Sequence, residues 1–211
     1  MRELVHTAGR RFARVATRAV VAQPRLWRVF RGPLRAQFNW MASGWEYRRG
    51  PEALVSLEAA LDRVERLPAR VLDLGTGTGK AARVIARRFP TAEIVGVDLS
   101  AAMVEEAARL LPNDLRGRVS FRVGDASALP FEDGFFDLVV LLNMIPFFSE
   151  LGRVAAPGGT VLIASSSGPQ TPIYVSPATL HSRLAPFGFD RFDEVCAGEG
   201  TAFIARRTQA R

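Results

Sequence analysis

The 211-residue chain holds one cysteine, two histidines, two tyrosines and a single lysine, Lys80, against 27 arginines. One cysteine, Cys196, excludes an internal disulfide and makes a reducing compartment, the cytoplasm, the expected setting. Histidine, cysteine and acidic residues nowhere cluster at metal-ligand spacing, so no metal centre is expected. No apolar run approaches the ~20 residues of a membrane-spanning helix; "LVVLLNMI" already contains an Asn. The first residues also lack the roughly 7–15-residue apolar stretch of a secretory signal.

Acid is scarce in one region only. Residues 1–40 carry nine Arg and one Glu, a balance of +8, whereas residues 41–211 carry nineteen basic and twenty acidic groups, a balance of −1. The net charge of +7 therefore belongs to an N-terminal arm attached to a near-neutral body. The length suits one domain with an extension. The expected division is a basic helical arm or lid at 1–50 and a main domain at 51–211.

In the arm, Leu4, Ala8, Phe12, Val15 and Ala19 recur at three- and four-residue steps, an amphipathic helix ended by Pro24. Residues 25–38 repeat the mixture around a break at Gly32-Pro33, and 51–67 predict a helix opened by Pro51. From residue 70 short apolar runs alternate with helical stretches. Strands are expected at 70–74, 93–97, 118–123, 136–142 and 160–165, with helices at 79–89, 100–111 and 146–155. Such alternation predicts a doubly wound α/β fold with a mostly parallel sheet. A helix near 177–186 then precedes two strands, 189–196 and 201–206, separated only by "AGEG". A connection that short makes a hairpin, giving seven strands and an antiparallel last one.

Residues 73–80, "DLGTGTGK", approach two glycine-rich motifs and satisfy neither. A P-loop would need glycine at Leu74 and a hydroxyl at Ala81; a dinucleotide fingerprint begun at Gly75 would need glycine at Lys80. Ligands of open parallel sheets sit beyond the carboxyl ends of the strands. There the sequence places Asp73 with Gly75, Thr76 and Gly77, then Asp98, then Asp125 with Ala126, then Asn143. Three carboxylates along one edge favour a ligand with hydroxyls, amino groups or positive charge, and disfavour a polyphosphate. Taken singly, an acid at a strand end is more often a helix cap or turn former; the three together after a glycine loop are harder to explain that way.

"VLDLGTGTGK", "VGVDLSAAMVEEA", "GDASALPFEDGFFDLVV" and "APGGTVLI", in this order over residues 70–166, resemble the successive motifs of class I S-adenosylmethionine-dependent methyltransferases. The resemblance implies a Rossmann-like methyltransferase fold with S-adenosylmethionine as cofactor and a small-molecule methyl acceptor. It also implies roles. Asp73 would orient the methionine amino group, and Gly75, Thr76 and Gly77 would line the methionine moiety. Asp98 would hold the ribose diol, Leu99 and Met103 would pack nearby, Asp125 would meet the adenine amino group, and Ala126 would back the ring. Asn143 would line the pocket. "FNWMASGWEYRR" (38–49) is more distantly similar to the segment preceding the sheet in quinone-biosynthesis C-methyltransferases, where such helices form a lid. Asn39 and Trp45-Glu46 depart from that family's Asp and Tyr-Asp.

No residue stands out as catalytic. His6 lies in the basic helix, and His181, in "TLHSRL", follows the fifth strand, where substrate-contacting residues occur. "NMIPFF" (143–148) departs by one extra residue and one missing Pro from the motif of amide and adenine N-methyltransferases, and reads as pocket lining. The short 143–159 stretch leaves no large insertion there, so the substrate pocket is expected from the N-terminal helices and the 166–180 loop. An enzyme acting on a small apolar or aromatic acceptor is therefore the leading expectation. Its rivals are a non-catalytic binder of the same cofactor and an NAD-dependent enzyme, the latter opposed by the absent third glycine and the terminal hairpin. For residues 1–37 three readings stand. One is peripheral contact with an anionic membrane, with Trp27 and Phe30 entering the interface, which would suit a lipophilic quinol or lipid acceptor. One is nucleic-acid binding, which no recognisable module accompanies. One is a pair of lid helices packed on the domain.

Overall fold

The computed structural model describes residues 2–48 and 50–208, with the side chains of 2–8 and 48 outside that description. Seven strands form one sheet: β1 (Arg70–Leu74), β2 (Glu93–Asp98), β3 (Val119–Val123), β4 (Phe136–Leu142), β5 (Ala155–Ser165), β6 (Phe189–Ala197) and β7 (Gly200–Arg207). Their order is β3-β2-β1-β4-β5-β7-β6. All pairs are parallel except β5 with β7 and β7 with β6, so β7 alone runs against the rest.

The period-two pattern of the strands sorts side chains onto two faces. Leu72, Val139, Leu141, Val161, Ile163, Phe203 and Ala205 enter one core, and their chain neighbours Val71, Leu138, Val140, Leu162, Ala164, Ala202 and Ile204 enter the other. Burying each such Leu or Ile side chain stabilises the fold by about 1.5–3 kcal/mol. The second core is closed by α3 (Val55–Leu61), through Leu57 and Leu61, and by α4 (Lys80–Arg88), through Ala81 and Ile85. The first is closed by α6 (Phe148–Val154) and α7 (Pro177–Leu184). Alongside β2 and β3 lies α5 (Ala101–Leu110), capped by Ser100, whose hydroxyl accepts from the Met103 N–H at 3.1 Å.

The arm joins the first core. Its helices are α1 (Arg2–Ala22) and α2 (Trp27–Met41), linked by a 3-10 turn at Pro24–Leu26. Ala16, Val20, Trp27 and Leu34 are buried, and the Phe12 and Phe30 rings meet at 5.8 Å. The expected break at Gly32-Pro33 does not occur, because α2 runs through Pro33. A proline there removes one intrahelical donor; Trp27 and Leu34, anchored on either side of it, hold the helix together. The expected 51–67 helix is shorter: a 3-10 turn at Pro51–Leu54 leads into α3, which ends at Leu61. Among the described residues no helix is long and apolar enough to cross a membrane.

Candidate functional site

Strand order reverses between β1 and β4, so the crevice of an open sheet is expected at their carboxyl ends. A cleft of about 2330 Å³ opens there, lined by Leu74 of β1, Leu142 of β4 and the residues that follow each strand. The arm roofs it with Phe12, Trp27, Leu34, Phe38, Trp40 and Trp45.

The glycine loop is held by the neighbouring strand. The N–H groups of Gly75 and Thr76 both donate to the Val97 carbonyl, at 2.8 and 3.0 Å. Gly75 has φ +75°, and a Cβ there would stand 2.7 Å from Met144 Sδ. Glycine is thus favoured by the backbone conformation, and any Cβ here would also displace the Met144 side chain.

Asp73 lies beneath this loop, 1% exposed. Its Oδ2 accepts from Thr76 Oγ1 at 2.5 Å. Burial pushes its carboxyl up to about 6, against the opposing effect of the Thr76 hydrogen bond. Asp98, half-buried at the end of β2, lines the cleft. Its Oδ2 accepts from the Gly77 N–H and its Oδ1 from the Ser100 N–H, each at 2.9 Å. Burial raises its pKa too, with the backbone donors pulling the other way. Both oxygens retain lone pairs for a ligand hydroxyl.

Asp125 faces elsewhere. Its Oδ1 accepts from the Trp27 indole N–H at 2.7 Å and from the Ser127 N–H and hydroxyl at 2.9 and 2.8 Å, and Arg31 Nη1 stands 3.5 Å from Oδ2. Partial burial pushes this carboxyl up, but the donors from Ser127, Trp27 and Arg31 together outweigh it and hold the pKa below the ordinary range.

Eight of the ten residues singled out from the sequence line the one cleft: Gly75, Thr76, Gly77, Asp98, Leu99, Met103, Ala126 and Asn143. Asp73 and Asp125 are not among its lining residues; the first braces the loop and the second binds the arm. Asn143 has φ +54°, the sole non-glycine residue with positive φ among those described. Its side chain clasps the end of β5, accepting from the Ser166 N–H at 3.0 Å while its Nδ2 reaches Ser166 Oγ at 3.0 Å. His181 is exposed on α7, its ring 4.2 Å from that of Phe192, and does not line the cleft. His6 Cα lies within α1, but its side chain lies outside the described residues.

Glu46 is the residue that sequence reasoning missed. Its carboxylate accepts from Thr78 Oγ1 at 2.7 Å and from Arg83 Nη2 at 2.8 Å, and Lys80 Nζ donates to its carbonyl at 2.6 Å. Asn39 likewise accepts from Ser100 Oγ at 2.6 Å through its Oδ1. The arm is therefore fastened to the glycine loop and to the start of α5. The one signal for this was that positions 39 and 46 hold polar residues where the arm meets the domain.

Residues 71–159 match the family model described as a methyltransferase domain. A demethylmenaquinone methyltransferase of Thermus thermophilus is 42% identical over 108 residues, which cover 47% of this chain and 48% of that one. A malonyl-[acyl-carrier protein] O-methyltransferase of Halorhodospira halophila is 39% identical over 132 residues, 56% of this chain and 44% of that one. The matched regions thus span about half or less of these relatives' lengths. Among solved structures, a chain of the Haloferax volcanii complex between a methyltransferase activator and its candidate methyltransferase superposes with TM-score 0.68 at 19% identity, covering 82% of this chain and 98% of that one. An S-adenosylmethionine-dependent methyltransferase from Aquifex aeolicus gives 0.60 at 18%, with 82% and 97% covered. Residues 71–159 thus resemble a methyltransferase domain, and the seven-stranded sheet that holds them has the fold of these structures.

Proposed function

We propose that this protein transfers a methyl group from S-adenosylmethionine to a small apolar or aromatic acceptor. The observation that carries the reading is the two-ended cleft: a polar end built on Asp98 and the glycine loop, and an apolar end roofed by the arm.

The polar end fits the cofactor by the chemistry of its groups. Asp98 presents a carboxylate to a diol, with Gly77 and Ser100 fixing its orientation. Leu99, Met103 and Ala126 offer an apolar slot to a flat ring. Gly75 and Gly77 let backbone approach the amino-acid portion closely. Asp73, buried under Thr76, keeps that loop in place and adds negative potential near a cationic amine.

S-adenosylmethionine supplies an electrophilic methyl on a sulfonium, open to in-line displacement. The chain's own residues contribute alignment and dryness. Met144, against Gly75, and Trp45, whose Nε1 would lie 3.5 Å from a Cβ at Gly77, wall the loop at the junction of the two ends. Phe12, Leu34, Phe38 and Ile173 surround the space beyond, where an apolar acceptor displaces water.

The test is calorimetry with S-adenosylmethionine, its demethylated product and NAD, followed by radiolabelled methyl transfer to a panel of hydroquinones, phenols and carboxylates. Binding of the first two ligands with transfer to an apolar aromatic acceptor is expected. Binding without transfer to any member favours a non-catalytic cofactor-binding protein, and binding of NAD alone overturns the reading.

A further inference from the structure

The arm leaves one face unaccounted for by the cleft. On α1, Arg11, Arg14, Val15 and Arg18 are exposed, opposite the buried Ala16, Thr17 and Val20. On α2, Arg28, Arg31, Arg35 and Trp40 are exposed, opposite Trp27 and Leu34. Steps of three and four residues place Arg11, Arg14, Val15 and Arg18 on one face of α1 and Arg28, Arg31 and Arg35 on one face of α2, while Val29 and Trp40, eleven positions apart, share the flank beside Arg28. The two helices lie side by side through Phe12 and Phe30.

Residues 9–40 contain eight arginines and no Asp or Glu. Among the described residues, Arg31 alone of these eight pairs with a carboxylate, that of Asp125, and Arg10 donates to the Gln170 carbonyl. Such a density of like charge at the surface costs self-repulsion unless an anionic partner meets it. Large apolar groups accompany it: Val15 is 58% exposed, Val29 66%, Trp40 72% and, just beyond, Tyr47 88%. Trp40 is both exposed on the flank of α2 and part of the cleft lining.

We infer that the outer face of α1 and α2 docks on an anionic lipid surface, with the arginines on phosphate headgroups and Val29, Trp40 and Tyr47 seated at the interface. Basic residues with Trp and Tyr are the combination an interfacial helix uses. Nucleic acid would accept the same arginines but leaves exposed Val15 and Val29 without an apolar partner. The side chains differ from those expected from the sequence. Trp27 is only 5% exposed and is held by Asp125, and Phe30 packs on Phe12, so Trp40 and Tyr47 take the interfacial place. Docking in this way presents the Trp40 side of the cleft to the bilayer, and a lipophilic acceptor enters without crossing water. That last step rests on the proposed methyl transfer; the docking itself does not.

The full chain, without cofactor or acceptor, should cosediment with phosphatidylcholine vesicles containing about 30% phosphatidylglycerol and not with phosphatidylcholine alone. Replacing Arg11, Arg14 and Arg18 together by Gln should weaken binding by roughly a hundredfold, about fivefold per arginine. None of the three lines the cleft, so transfer to a water-soluble acceptor should be unchanged. A blue shift of tryptophan emission on vesicle binding should be largely lost in Trp40→Phe. Equal binding to neutral and anionic vesicles, a triple variant that binds like wild type, or tighter binding to duplex DNA or single-stranded RNA than to anionic vesicles at the same salt each overturns the assignment. Failure of methyl transfer with intact vesicle binding would count against the enzymatic reading alone.

Discussion

The indole N–H of Trp27 donates to Asp125 Oδ1 at 2.7 Å, across 98 positions of sequence. The bond ties the arm to the loop after β3, where the resemblance to methyltransferases had placed an adenine contact. Asp125 therefore serves first as the arm's anchor, with Trp27 edge-on to Phe147 at 5.1 Å behind it.

Trp27→Phe keeps the ring contact with Phe147 and removes the donor to a partly buried carboxylate. The expected loss of stability is about 1.5–3 kcal/mol, read by denaturant unfolding. Hydrogen exchange across α2 should rise with it. A change under half a kilocalorie per mole would mean that water replaces the indole at no cost.

Asp73 makes stability depend on pH. Its folded-state value of about 6 exceeds the ordinary 3.8, so the folded chain holds that proton more tightly than the unfolded one. The associated stability is fully present below 3.8 and is lost as pH rises through about 6, on the order of 3 kcal/mol in all. Asp73→Asn keeps an acceptor for Thr76 and stays neutral, so the gap between its melting curve and that of wild type should widen over this window. Parallel curves from pH 4 to 7 would assign the titration to another group.

Gly75→Ala combines a φ of +75° with a Cβ 2.7 Å from Met144 Sδ. The backbone strain costs about 1–2 kcal/mol, and Met144 must swing away into the cleft. Affinity for the demethylated cofactor should fall at least about tenfold, by calorimetry, a loss of about 1.4 kcal/mol. Unchanged affinity would place the ligand away from this loop.

Glu46→Gln retains an acceptor for Thr78 and loses the charge that faces Arg83, a pair whose side chains are 23% and 14% exposed. Part of that interaction is screened by solvent, so the expected cost is about 1 kcal/mol. Its sharper readout is limited proteolysis around residues 42–50, which should accelerate in the variant and slow again when the demethylated cofactor is added. Equal cleavage rates with and without ligand would uncouple this segment from the cleft.

The sheet was legible because its strands are apolar runs bounded by glycine, proline and polar turns; β1 and β4 begin and end at the expected residues. The terminal hairpin followed from a connection too short for a helix. What the sequence could not carry was the partner of each side chain. Asp73, Asp98 and Asp125 occupy equivalent strand-end positions, yet they face respectively a loop hydroxyl, the cleft, and an indole from the arm. Periodicity places a residue on an edge; its rotamer is set by groups brought close only in three dimensions. Pro33 shows the same limit, since its local preference is overridden by burial of Trp27 and Leu34.

The chain's sole lysine reaches across from the glycine loop to the Glu46 carbonyl. Apart from the terminal amine, Lys80 is then the one site at which an acylating dye can attach. Its amine reacts only when released from its contacts, the carbonyl and carboxylate of Glu46 among them, so the labelling rate at Lys80 would follow how often those contacts open. A scarcity that began as a gap in composition thus gives the protein an intrinsic, single-site reporter of its own opening.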